Sequence, residues 1–283
     1  MAVGTPRYRD QAETQIPAAV TTPLDTHSDV SRREFIFKVS AAGVGLAAAG
    51  SMLGRVLAAD DLAKGSTDLD PEHQWVMVFD LRLCDGCREC IKGCQQEHHL
   101  DDDIEWIKVY ELEDVQGRSY AMPVLCMQCQ NAPCTRACPV SATYHRPDGT
   151  VVVDQSVCIG CRMCMAACPY DVRVFNWNDQ HEVAAEFHDD RPEFTVPQRT
   201  GTVGKCVMCV HDLEQDQYPA CLSACSMGAI YVGNLVTDAA SNRRETVVLS
   251  RFLRDNDAFR FREELGTDPR VYYIAGHGQD LEY

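Results

Sequence analysis

The stretch Cys158-Ile159-Gly160-Cys161-Arg162-Met163-Cys164-Met165-Ala166-Ala167-Cys168-Pro169 puts a thiol at every third position three times, adds a fourth about one helical turn on, and closes on proline. That C-x2-C-x2-C-x3-C-P spacing is the one used to hold iron–sulfur clusters. A cubane offers four iron corners to thiolates, and a tight loop with a thiol at every third residue reaches three of them. The fourth cysteine has turned away on a short helix and serves a neighbouring cluster. One such run therefore demands at least one further cluster, with its ligands elsewhere in the chain.

Those ligands are present. Upstream, Cys84, Cys87, Cys90 and Cys94 follow an apolar strand predicted over 75–79. Next come Cys126, Cys129, Cys134 and Cys138, which follow a short apolar run at 123–125 and end on Cys138-Pro139. The opening stretch is third, led in by a predicted strand over 151–153 behind the turn Pro147-Asp148-Gly149. Downstream lie Cys206, Cys209, Cys221 and Cys225. All sixteen cysteines fall into these four groups of four, with none left over.

Disulfides would suit a small secreted scaffold rather than a chain of 283 residues with regularly spaced thiols. Zinc is the plainer alternative, since paired C-x2-C units also build tetrahedral sites. Three thiols at x2-x2 spacing overcrowd a single zinc, which argues against it for the first and third groups. The second is tied to the third by its Cys-Pro ending. The fourth group alone could be a zinc knuckle.

Pairing follows from the rule that the fourth thiol goes elsewhere. Cys126, Cys129 and Cys134 share a cluster with Cys168, and Cys158, Cys161 and Cys164 share one with Cys138. By the same logic Cys84, Cys87 and Cys90 pair with Cys225, and Cys206, Cys209 and Cys221 with Cys94. The fold class expected is α+β. Two ferredoxin-like two-cluster units are nested, an inner one at about 120–175 inside an outer one at about 74–119 plus 201–234. A helix over 245–256 and a strand over 271–274 are expected in a C-terminal extension at 235–283.

The net charge of −16, from 42 acidic and 26 basic residues, excludes the basic footprint that nucleic acid or anionic lipid needs. No stretch beyond residue 60 approaches the roughly 20 apolar residues of a membrane span. Residues 1–30 are polar, contain Pro6, Pro17 and Pro23, and carry no apolar period, so disorder is expected there. Then Arg32-Arg33 precedes Phe35, an apolar run follows over 39–53, and the small residues Ala58-Ala59 suit cleavage. This region, 1–59, resembles a twin-arginine export signal, the route for proteins already folded around cofactors. An amphipathic helix with an incidental Arg-Arg is the alternative. The resemblance implies a location on the periplasmic or extracytoplasmic side, with 60–283 forming the cluster domain.

Catalytic groups are harder to find. The chain has no Gly-rich phosphate loop, nucleotide fingerprint or nucleophile elbow. His98, His99 and His211 follow cysteines closely but are surplus to a complete thiol set, so they belong beside the clusters or on the surface. Met127, Met163 and Met208 sit inside Cys-x-x-Cys loops and are expected as apolar cover. A row of redox centres without a substrate pocket is a wire.

Over about 74–275 the chain resembles the four-cluster iron–sulfur subunits of molybdopterin oxidoreductases, of the dimethyl sulfoxide, polysulfide and tetrathionate reductase type, with alternative complex III relatives. The likeness rests on Cys138-Pro139-Val140-Ser141-Ala142-Thr143, Cys168-Pro169-Tyr170-Asp171-Val172-Arg173, Tyr218-Pro219-Ala220-Cys221 and the closing Gly266-Thr267-Asp268-Pro269-Arg270-Val271-Tyr272-Tyr273. The resemblance implies four [4Fe–4S] clusters, a molybdopterin-type catalytic partner and a polytopic membrane partner that handles quinol or quinone. Several members replace one cysteine of the second group and carry a three-iron cluster; here all four are present. Two departures are Ser226 after Cys225, where many members have proline, and an acidic segment over 176–200, expected as a solvated loop with a partner-docking element as the alternative. A free-standing periplasmic ferredoxin-type carrier is the alternative to a subunit.

Overall fold

The computed structural model describes residue 70 and residues 72–276, apart from 115–116 and 180–182. The twin-arginine pair, the apolar run after it and the stretch 1–30 lie outside the described residues.

The elements are short and strung between cysteine loops. β1 (Trp75–Asp80) leads into the loop of Cys84 and Cys87, and α1 (Glu89–Glu97) follows. A hairpin of β2 (Lys108–Glu113) and β3 (Ser119–Val124) delivers the second loop, which ends in α2 (Pro133–Arg136). β4 (Thr143–His145) pairs with β5 (Val151–Val153); then come α3 (Met163–Ala166) and β6 (Val174–Phe175). A second small hairpin joins β7 (Asp189–Arg191) to β8 (Phe194–Val196), and β9 (Val203–Gly204) pairs back onto β6. The chain continues through α4 (Val210–Leu213), α5 (Ala220–Ala224), β10 (Ile230–Asn234), β11 (Ala239–Ser241), β12 (Thr246–Val248), α6 (Leu249–Asp255) and β13 (Val271–Ile274).

β1 is the strand on which the largest sheet is built. The sheet order is β12-β11-β10-β1-β13, antiparallel except where β13 lies parallel to β1. β1 reads as a continuous apolar run because both of its faces are covered. Side chains alternate across a strand, so Met77 and Phe79 enter the core that contains the cysteines. Val76 and Val78 enter a second core with Tyr231, Ala240, Leu249 and Ile274. α6 closes that second core, with Phe252 tilted over Tyr231 at 4.9 Å between ring centroids. The remaining sheets among the described residues are two-stranded, and the architecture is α+β.

Two expectations need correction. The helix predicted over 245–256 begins only at Leu249, because Thr246, Val247 and Val248 pair with the edge of β11 instead. β-branched residues suit that edge. The helix is capped from another element, with the Asp238 carboxylate accepting from Ser250 N at 2.6 Å and Ser250 Oγ at 2.7 Å. The acidic segment over 176–200 is not a plain loop. It carries a 3-10 turn (Ala185–Phe187) and the β7–β8 hairpin, which turns Thr195 and Val196 inward.

The predicted turn at 147–149 is present. The buried Asp148 accepts from Thr150 N at 2.9 Å, and Gly149 takes a left-handed φ of +84°, where a Cβ would run into the Arg270 guanidinium. The tail does more than finish the sheet. Asp268 and Thr267 accept from the N–H groups of Gln130 and Asn131, and Arg270 N donates to Met127 O at 2.9 Å, so the residues before β13 strap the second cysteine loop.

Candidate metal centres

None of the described cysteines is in a disulfide, and the fold gathers the thiols from distant parts of the chain. Cys84, Cys87, Cys90 and Cys225 line one recess, walled by Phe79, Val109, Pro123 and Ile230. Burial pushes the Cys90 thiol up to about 12, and its neighbours Cys84, Cys225 and Cys87 add to the rise. Cys126, Cys129, Cys134 and Cys168 line a second recess. There Cys129 is pushed up to about 12, first by burial and then by Cys126.

Cys94, Cys206, Cys209 and Cys221 are all buried. The Cys209 thiol is raised by burial and then by Cys221, Cys94 and Cys206. Cys164 is raised by burial and, further down, by Cys158 and Cys138, while Cys161 is exposed on the same loop.

These four gatherings stand in a definite sequence. Cys90 and Cys94 interact across the first and second, and Cys206 and Cys126 across the second and third. Arg173 acts on both Cys134 and Cys164, bridging the third and fourth. Exposed thiols occur only at the two ends, at Cys87 and Cys161.

The backbone explains why the loops curl. Gly86 and Arg88, the second and fourth residues after Cys84, are left-handed with φ of +75° and +63°. Gly160 and Arg162 hold the same places after Cys158, with φ of +67° and +60°. A Cβ on Gly160 would meet the Gly201 carbonyl. The other two loops are left-handed at the same second place after the leading cysteine, but with non-glycine residues, Gln128 (φ 47°) and Met208 (φ 60°), and without the left-handed fourth residue. For non-glycine residues such φ values cost energy and mark constrained sites.

Helices then divide the thiols. Cys90 and Cys94 sit four apart on α1 and so share a face, yet each faces a different gathering. α1 approaches α5 closely at Gly93, where a Cβ would come within 2.7 Å of Ala224 Cβ.

Around the thiols the lining is apolar with a few fixed polar groups. Met127 and Met208 are buried as expected, but Met163 is 53% exposed and provides no cover. Its loop lies at the surface end of the row. The histidines stand behind the thiols rather than in their place. His98 Nε2 lies 3.4 Å from Cys209 Sγ, and His211 Nε2 lies 3.1 Å from Glu97 Oε1. Burial, then His211, lowers His98 to about 3, so it is a neutral imidazole beside the sulfur.

Two buried cations are the features that sequence reasoning missed. Lys205 Nζ donates to the carbonyls of Val151 and Cys206. Arg173 Nη1 donates to Thr143 Oγ1 at 3.3 Å, while its Nη2 is buried with no hydrogen-bond partner. Buried cations need negative charge nearby, and thiolates bound to iron supply it.

The donor set fits iron–sulfur clusters better than single ions. Three thiols at x2-x2 spacing, joined by a fourth from a distant segment around an apolar recess, form a cubane's donor set and overcrowd a single zinc. Neutral thiols with raised pKa values must give up protons on loading, so assembly releases them.

Comparisons with known proteins agree with this chemistry. Residues 118–193 match a family described as a 4Fe-4S dicluster domain. The chain is 32% identical over 285 residues to the Hdr-like menaquinol oxidoreductase iron-sulfur subunit 1 of Archaeoglobus fulgidus, covering 88% of this chain and all of that one. It is 32% identical to a tetrathionate reductase subunit of Salmonella typhimurium, covering 87% of this chain and 89% of that one. With the iron-sulfur cluster-binding subunit of the menaquinone reductase of Nitratidesulfovibrio vulgaris it shares 34% identity, over 71% and 89% of the two chains.

Proposed function

The chain belongs to the family of iron–sulfur subunits that includes those of tetrathionate reductase, menaquinone reductase and the Hdr-like menaquinol oxidoreductase, and from that membership we propose a particular form of its work. It is an electron-transfer subunit of an oxidoreductase complex. In the form proposed, it carries four [4Fe–4S] clusters in a row, between a quinone-linked membrane subunit and a molybdopterin-type catalytic subunit. Each bound cluster would take up and pass on one electron at a time.

The observation that carries this reading is the unbroken sequence of thiol gatherings, buried in the middle and exposed at both ends. Each gathering mixes thiols from two cysteine groups in the way two-cluster geometry demands, and this supports assigning Cys84, Cys87, Cys90 and Cys225 to one cluster. Cys94, Cys206, Cys209 and Cys221 hold the next. Cys126, Cys129, Cys134 and Cys168 hold the third, and Cys138, Cys158, Cys161 and Cys164 the last. The repeated left-handed positions support two related units, the inner one inserted into the outer. The residues' part is to hold iron, exclude water and fix distance.

The loaded chain should contain about 16 irons and as much acid-labile sulfide. It should also co-purify with a larger subunit containing molybdenum. Four zincs without sulfide would refute the cofactor assignment, and a fully active lone chain on native size exclusion would refute the subunit role.

Export by the twin-arginine route belongs to the same proposal and is supported by Arg32-Arg33 ahead of Phe35. The double substitution Arg32→Lys, Arg33→Lys is expected to retain the protein in the cytoplasm with its iron intact. Undiminished delivery, read by fractionation, would remove the periplasmic assignment.

A further inference from the structure

We propose that Arg173 is a positioning cation shared by two neighbouring clusters, its guanidinium lying between Cys134 of one and Cys164 of the next, so that it sets both reduction potentials together. The inference rests on the cluster assignment above. It goes beyond it by giving one side chain control over two centres.

Arg173 is only 3% exposed, and burying a guanidinium is costly unless negative charge meets it. The groups that meet it are the Cys134, Cys126 and Cys164 thiols. It forms part of the wall of the recess that Cys126, Cys129, Cys134 and Cys168 line. Its mounting is firm. Residue 173 directly precedes β6, which is paired with β9, and Thr143, which accepts from Nη1, starts β4, which is paired with β5. The buried Nη2 has no hydrogen-bond partner in the protein, so it is an unspent donor in the wall of a thiol-lined recess.

Reduction adds one electron, and so one negative charge, to a cluster. A fixed cation stabilises that charge and raises the potential, which depends on nearby charge and hydrogen bonding. Arginine stays protonated throughout the physiological range, so the electron needs no accompanying proton at this site. Lys205 differs, since its ammonium is directed to two backbone carbonyls rather than left open toward sulfur.

The test is a potentiometric titration, followed by electron paramagnetic resonance, of the purified complex carrying Arg173→Met. Both clusters that share Arg173 should show at least a tenfold change in oxidised-to-reduced ratio at fixed potential, a fall of about 59 mV in each midpoint. The other two should move less. Arg173→Lys, which keeps charge but loses the fork, should recover part of the fall in both. Arg136→Met removes an exposed cation at the end of α2 and should change neither. A shift in one cluster alone, in all four equally, or in none overturns the proposal, as does an equal effect from Arg136→Met. If Arg173→Met does not load, Arg173→Lys and Thr143→Val decide: a paired fall supports the assignment and unmoved midpoints refute it. Iron and sulfide counts on the unaltered complex report separately on the four-cluster reading.

Discussion

Cys221→Ala is expected to cut electron flow through the chain while leaving iron at both ends. Cys221 is buried at 5% exposure among Cys94, Cys206 and Cys209, in the second gathering of the row. Losing the thiol removes one of the four ligands that would hold this cluster and leaves three buried thiols to hold it alone. Weakening a mere supporting partner of a metal ligand costs roughly 10–100-fold in affinity or activity, and removal of the ligand itself should exceed that. Iron should fall by up to about four from about 16 per chain. Electrons supplied at the Cys87 end should then fail to reach the cluster near Cys161, read by which signals a reductant bleaches. Full iron with an undiminished quinol-driven rate would show that Cys221 is not a ligand in the path.

Tyr273→Ala is expected to produce the largest loss of stability among core substitutions of the tail. The ring is fully buried between Phe79, at 5.7 Å, and Phe259, at 5.6 Å, and its hydroxyl donates to Pro123 O at 2.9 Å. Burial, with Tyr170 nearby, pushes the phenol far above its ordinary value, so it remains a donor. Truncation of a buried aromatic costs about 3–5 kcal/mol. Tyr273→Phe keeps the rings packed but leaves the Pro123 carbonyl without its partner, which costs about 1–3 kcal/mol. Thermal unfolding of the loaded protein measures both. Equal destabilisation by the two variants would mean that the hydroxyl, not the packing, holds the tail in place.

The cysteine grouping was readable from spacing because iron–sulfur ligation imposes a local pattern that few other constraints produce. β1 was readable for the same kind of reason, since a strand covered on both faces has a continuous apolar sequence. The β2 hairpin strand carried a short signal that went unused: Tyr110-Glu111-Leu112-Glu113 alternates apolar and charged residues. The start of α6 was not readable, because Val247 and Val248 fit a helix period equally well until the edge of β11 is known to be free. Arg173 was visible only as part of a longer motif, and nothing in a one-dimensional reading distinguishes a buried arginine from an exposed one. Lys205 beside Cys206 was equally silent. Burial of a charge is a property of the assembled fold, and these two are where local expectation and tertiary structure part.

The helical turn that separates Cys90 from Cys94 has a consequence for what partners can regulate. Four residues of α-helix rise about 6 Å, and Cys90 to Cys94 is the step that lies wholly inside a helix, since Cys138, Cys168 and Cys225 fall just past the ends of α2, α3 and α5. It works as a ruler. Because the ruler is made of covalent and intrahelical bonds, no change in subunit docking can stretch it without melting the turn. Gating of the current at this end of the row must therefore act outside the turn, at the exposed loop of Cys87 rather than between Cys90 and Cys94.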